Sequence, residues 1–171
     1  MLVAAVAAWF DWRTGHIPDW VSLPPLAVAI VAHFVVAAVT DNSHEAIQAA
    51  GHSILGAALC ALVPLVLHRA GAIGGGDVKL LAAIGALLQW RAGIEAEFYA
   101  FLAAAIIAPA RLAYEGKLLK VLGNSLALVV NPFRPKERRR QITPEMMTSV
   151  RFGPAIFVGV FGAALVFWRP M

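Results

Sequence analysis

Two aspartates stand beside apolar runs. Asp11 follows the run Met1–Phe10, and Asp77 closes the stretch Gly74-Gly75-Gly76-Asp77 ahead of another run. A carboxylate at the edge of hydrocarbon is costly, so it pairs, lines a wet cavity or does chemistry. Two carboxylates brought together can share one proton, the arrangement needed to hydrolyse a peptide bond with an activated water. That chemistry requires a fold that carries both acids to one place.

The elements able to do so follow from composition. The chain has 171 residues, 60% apolar and only 14% charged, with a mean hydropathy of +0.75. Soluble domains average about 45–50% apolar and about 25% charged. The excess comes in blocks near the length that crosses a bilayer. Six such segments run over about Met1–Phe10, Val21–Val39, Ser53–Leu67, Val78–Trp90, Phe98–Leu112 and Pro154–Trp168. Spanning strands would alternate polar and apolar residues, and these segments do not. The sequence therefore predicts an all-α integral membrane protein, a single domain over residues 1–171 built as a bundle of about six transmembrane helices. Small residues such as Ala57, Ala58, Gly85 and Gly159 predict close helix packing.

Loop charge orients the bundle. Nine of the fourteen basic residues (Arg111, Lys117, Lys120, Arg134, Lys136, Arg138, Arg139, Arg140 and Arg151) fall in or beside one loop at about 113–153. Basic loops stay in the cytoplasm. The loops holding Asp41, His44 and Glu45, and Arg91, Glu95 and Glu97, then lie on the opposite side. This places Asp11 and Asp77 at the same, cytoplasmic, face. The basic loop, amphipathic over 116–122, can rest on anionic lipid headgroups.

Other chemistries find little support. Cys60 is a lone cysteine within an apolar run, and no CxxC pair exists. His16, His33, His44, His52 and His68 are scattered, without metal-ligand spacing. His33, in mid-helix, is expected to bond a neighbouring helix. No metal, no cofactor and no nucleic-acid partner is expected.

Around the aspartates the local sequence is specific. Gly74-Gly75-Gly76-Asp77-Val78-Lys79-Leu80 lacks the G-x-x-x-x-G-K-[ST] spacing of a phosphate-binding loop. Its glycines let backbone and substrate approach the carboxylate. Lys79 either tunes the pair or snorkels to headgroups. In Asp11-Trp12-Arg13-Thr14-Gly15-His16-Ile17-Pro18-Asp19, the Ile17-Pro18 pair breaks the first helix and resets the chain. Asp19 is expected to cap the second helix and is a rival for the catalytic acid.

The pattern D-x-x-x-x-x-I-P-[ND], then G-x-G-D-V-K-L, then Phe152-Gly153-Pro154 before the last span, resembles the type IV prepilin peptidases, membrane aspartyl proteases of the GxGD kind. The small size is similar to the short forms that serve tight-adherence (Flp) pili. The resemblance implies that Asp11 and Asp77 are the catalytic pair, with Gly74, Gly75, Gly76, Pro18 and Lys79 as motif or substrate-contacting residues. It implies removal of a short basic leader from prepilins or pseudopilins, after a glycine, at the cytoplasmic face of the bacterial inner membrane. Longer members add a domain with paired CxxC motifs and N-methyltransferase activity. This chain has neither, so methylation is not expected. The competing readings are an ion-coupled carrier and a non-enzymatic pilus-assembly scaffold using the same aspartates.

Overall fold

The computed structural model describes residues 1–40, 43–114, 116, 119 and 152–167. The basic loop expected at about 113–153 lies almost wholly outside the described residues, including Arg138, Arg139 and Arg140. The described residues form helices and no strand: α1 (Leu2–Thr14), α2 (Asp19–Thr40), α3 (Ser43–Arg69), α4 (Gly75–Tyr114) and α5 (Gly153–Phe167). The all-α expectation holds for them. The count of six crossings is not reproduced. Three helices, α2, α3 and α4, are long and apolar enough to cross a membrane. The 13 residues of α1 rise only about 20 Å, against a hydrocarbon core of about 30 Å. α5 is strongly apolar but has 15 residues.

The expected fourth and fifth segments are the two arms of α4, 75–88 and 90–114, parted at Gln89 with φ 59° and ψ 177°. That backbone region is all but reserved for glycine. The arms fold back on each other: a Cβ at Gly93 would come within 3.0 Å of Gly85 Cα and 3.1 Å of Cys60 Sγ. A single residue makes the turn, so 91–97, expected as a loop, is helical. Glu97, expected on the outer loop, is instead buried. The break leaves the last carbonyls of the first arm without helical partners. Ser53 Oγ donates to Ala86 O at 2.8 Å, and His33 Nε2 donates to Leu87 O at 3.2 Å. His33 thus bonds a neighbouring helix, as its mid-helix position implied.

Glycine and alanine set the packing distances. α3 crosses the first arm of α4 at Gly56 and Gly85, and α5 crosses the second arm at Gly159 and Ala100. A methyl added at Gly56 would overlap Gly85 O and lie 2.8 Å from the Gln89 carbonyl carbon. Both neighbours are backbone and cannot rotate away. Gly56→Ala is therefore expected to destabilise the bundle by about 1–3 kcal/mol or more, read as a lower thermal unfolding midpoint in detergent. An unchanged midpoint would contradict the contact.

The core runs through Ala4, Ala7, Ile17, Leu80, Ile84, Phe152, Ile156 and Val160. It joins α1, the segment before α2, both arms of α4, and α5. Large apolar side chains such as Val28, Val31, Val36, Leu62 and Val66 face outward. Such an apolar exterior suits lipid and not water. This assembly stands directly behind Asp11 and Asp77.

Candidate active site

α1 ends by a local rule. Gly15 takes the left-handed conformation (φ 69°), and its N–H donates to Asp11 O. Thr14 Oγ1 lies 2.8 Å from Phe10 O and 2.9 Å from His16 O, and its single proton is shared between the two carbonyls. The chain then turns through Ile17-Pro18 into α2. Asp11 is thus in the last turn of α1, one turn before a fixed reversal. Its side chain is buried, 5% exposed.

α3 ends similarly. Gly71 is left-handed (φ 75°), and the N–H groups of Gly71 and Ala72 donate back to His68 O and Leu67 O. His68 Nδ1 donates to Ile73 O at 3.0 Å, which ties the last turn of α3 to the glycine loop. α4 begins at Gly75, so Asp77 sits in its first turn, where the helix dipole favours negative charge. Asp77 is 6% exposed. Its Oδ2 accepts the Gly74 N–H at 3.1 Å. Its Oδ1 is buried and accepts no hydrogen bond among the described residues.

The glycines have distinct duties. A Cβ at Gly76 would lie 3.0 Å from Ile17 Cβ and 3.2 Å from Ile17 O, so its bareness lets the loop after α1 close on the start of α4. A Cβ at Gly74 would lie 3.2 Å from Asp77 Oδ2, and one at Gly75 would lie 3.4 Å from the His68 ring.

These contacts bring Asp11 and Asp77 to the wall of one cavity of about 200 Å³, near enough for their charges to interact. Gly15, His16, Ile17, Asp19, Gly74, Gly75, Gly76 and Lys79 complete the lining. α5 reaches the site from behind. Gly153, its first residue, donates its N–H to Asp11 Oδ2 at 2.8 Å. A Cβ there would lie 2.7 Å from Asp11 Cβ and 2.9 Å from Oδ2. Pro154 follows at a position where a helix has no need of an N–H. A buried carboxylate thus faces the positive end of a helix dipole. Phe152 packs on Phe101 with ring centroids 5.5 Å apart, fixing the start of α5 against the second arm of α4.

The type IV leader peptidase family matches residues 1–109. That is more than half of the chain, and it includes both aspartates and the glycine loop. This chain belongs to the type IV leader peptidase family. No curated protein and no solved structure matches it. The leader peptidase match ends before α5, so the bond between Gly153 and Asp11 is contributed by the structure alone.

Within this member of the type IV leader peptidase family, the structure gathers Asp11, Asp77, Gly74, Gly75, Gly76 and Lys79 around the cavity. Pro18 lies between two lining residues, Ile17 and Asp19. Lys79 Nζ bonds Asp19 Oδ1 at 2.6 Å, so its charge is engaged at the rim. Asp19 is the first residue of α2, and its carboxylate is drawn to Lys79. Asp19 is more than half exposed, whereas Asp11 is buried. The sequence reading named Phe152-Gly153-Pro154 as the closing motif but gave Gly153 no role beside Asp11, and it did not single out His68. The signal for Gly153 was a glycine before proline at the head of an apolar run, the mark of a helix start. Nothing local marked His68, whose contact with Ile73 depends on the turn at Gly71.

Proposed function

We propose that this chain is an intramembrane aspartyl endopeptidase. It removes the short basic leader from prepilins or pseudopilins at the cytoplasmic face of the bacterial inner membrane. The observation that carries this reading is the convergence of Asp11 and Asp77, from helices far apart in sequence, on one cavity. Each carboxylate is held through one oxygen by a backbone N–H.

The two sites differ, and the difference supports distinct roles. Both acids lie at a helix start and accept one backbone N–H, Asp11 from Gly153 and Asp77 from Gly74; the difference lies in the second oxygen of Asp77. Asp77 Oδ1 is buried with no donor among the described residues, a setting suited to a carboxylic acid O–H. Asp11 then takes a proton from water as its oxygen attacks the scissile carbonyl carbon. Asp77 gives its proton to the carbonyl oxygen, forming a neutral tetrahedral diol. The diol collapses with cleavage of the C–N bond. Asp11 returns its proton to the leaving nitrogen, and Asp77 recovers one from a diol hydroxyl. No cofactor enters these steps.

The glycine loop supports the reading further. Without side chains at 74–76, an extended peptide backbone can lie against Asp77. The basic residues after α4 favour a cytoplasmic site by the positive-inside rule.

The test is co-expression with a prepilin bearing a short basic leader that ends in glycine before an apolar helix. A faster-migrating pilin whose mass fits cleavage after that glycine is the expected product. A pilin that keeps its leader with the protein present in the membrane would refute the activity.

A further inference from the structure

We propose that Asp19 reads positive charge on the incoming leader by exchanging Lys79 for a cation of the substrate. The inference rests on the peptidase reading above and adds a residue that sets its specificity.

The cavity is graded from dry to wet. Asp11 and Asp77 are 5% and 6% exposed. The Asp19 and Lys79 side chains, on the same cavity, are 58% and 42% exposed. The ion pair joins the first residue of α2 to the fifth residue of α4. Those two helix starts bear the two motifs, and the pair stands on the exposed part of the lining that holds the buried acids.

Charge decides what kind of peptide fits. The ionisable lining comprises three carboxyl groups (Asp11, Asp19 and Asp77, the last holding a proton in the reading above), one ammonium (Lys79) and His16. Acid is in excess, and Asp77 Oδ1 at the floor is buried and without a partner among the described residues. An anionic segment would be repelled and a cationic one drawn in. The Lys79–Asp19 pair is the exchangeable part. An ion pair with both partners this exposed is weak, because water screens it. Replacing one ammonium by another at Asp19 keeps the local charge balance. The displaced Lys79 has a long stem that can extend to headgroups.

The experiment uses the full chain in detergent with two substrates differing only in the leader, one with Lys and Arg and one with Gln at those positions. Wild type is expected to favour the basic leader by about tenfold in kcat/KM, carried in KM. In Asp19→Asn that ratio should fall to near one, and Asp19→Glu should restore it. Lys79→Gln should raise it, because Asp19 is then unopposed. A pair that only braces α2 against α4 predicts otherwise. Asp19→Asn and Lys79→Gln would then lower turnover of both substrates by similar factors, with the preference intact, and that result overturns the proposal. Should Asp19→Asn fail to fold, the opposite shift in Lys79→Gln still decides. Wild type cutting neither substrate overturns the peptidase reading and this inference with it. Wild type cutting both equally overturns the inference alone.

Discussion

Asp77→Asn is expected to lower leader cleavage by about a thousandfold or more while the protein still folds. Asn keeps the shape of Asp77, and its amide oxygen can still accept the Gly74 N–H that Oδ2 accepts at 3.1 Å. The loss is chemical, because an amide can neither give nor take the proton that the scissile carbonyl requires. A positioned acid or base contributes about 10²- to 10⁴-fold, and the two aspartates act as one unit. Asp11→Asn should therefore cost about as much, and the double variant little more than either single one. Stability should hardly move. Two buried acids facing one cavity keep a proton on one of them, and Asn in place of the protonated Asp77 leaves that charge balance as it was. The measurement is the ratio of mature to precursor pilin, beside thermal unfolding of the purified variants. Near-normal cleavage by either variant would remove the aspartyl mechanism. A large fall in unfolding temperature would mean that the acids hold the fold instead.

The second large effect lies far from Asp77. Gly153→Ala places a methyl carbon 2.7 Å from Asp11 Cβ and 2.9 Å from Oδ2. Contacts that close force a shift, and Asp11 sits between this helix start and the cavity. A misplacement of about 1 Å in a catalytic group costs about a hundredfold, so leader cleavage should fall by about that factor. The accompanying loss of stability should stay within about 1–3 kcal/mol. Steady-state kinetics separate the causes. A displaced base lowers kcat, whereas a loss of folded protein lowers only the active fraction, which titration of folded protein by size-exclusion would show. Gly153→Ala with wild-type kinetics would mean that the N–H of Gly153 does not position Asp11.

The aspartates were legible because charge within apolar sequence is conspicuous, and so was the helical class, because apolar blocks have no other way to satisfy their backbone in lipid. The site's remaining parts were not, for identifiable reasons. The break at Gln89 has neither glycine nor proline to announce it. It persists because Ser53 and His33, on other helices, satisfy the carbonyls of Ala86 and Leu87. Hydropathy read 91–97 as a loop because Arg91, Glu95 and Glu97 interrupt the apolar run, yet the helix continues through them. α3 starts at Ser43, ten residues before the apolar segment assigned to it, since a polar first stretch lowers hydropathy without ending a helix. Lys79 invited pairing with the nearby Asp77. Its actual partner, Asp19, is set by how α2 starts beside α4. The bond from Gly153 to Asp11 spans 142 positions, and no local pattern reports such a contact.

That long-range bond also has a consequence for biogenesis. During synthesis α1 is inserted early, while the residue that secures its acid is made almost at the end. A nascent chain halted before residue 153 would own both carboxylates and the glycine loop, yet Asp11 would lack the backbone N–H that Gly153 gives it. The surroundings of Asp11 are therefore completed by a helix translated well after both aspartates, and its geometry is a property of the folded bundle and not of the two motifs.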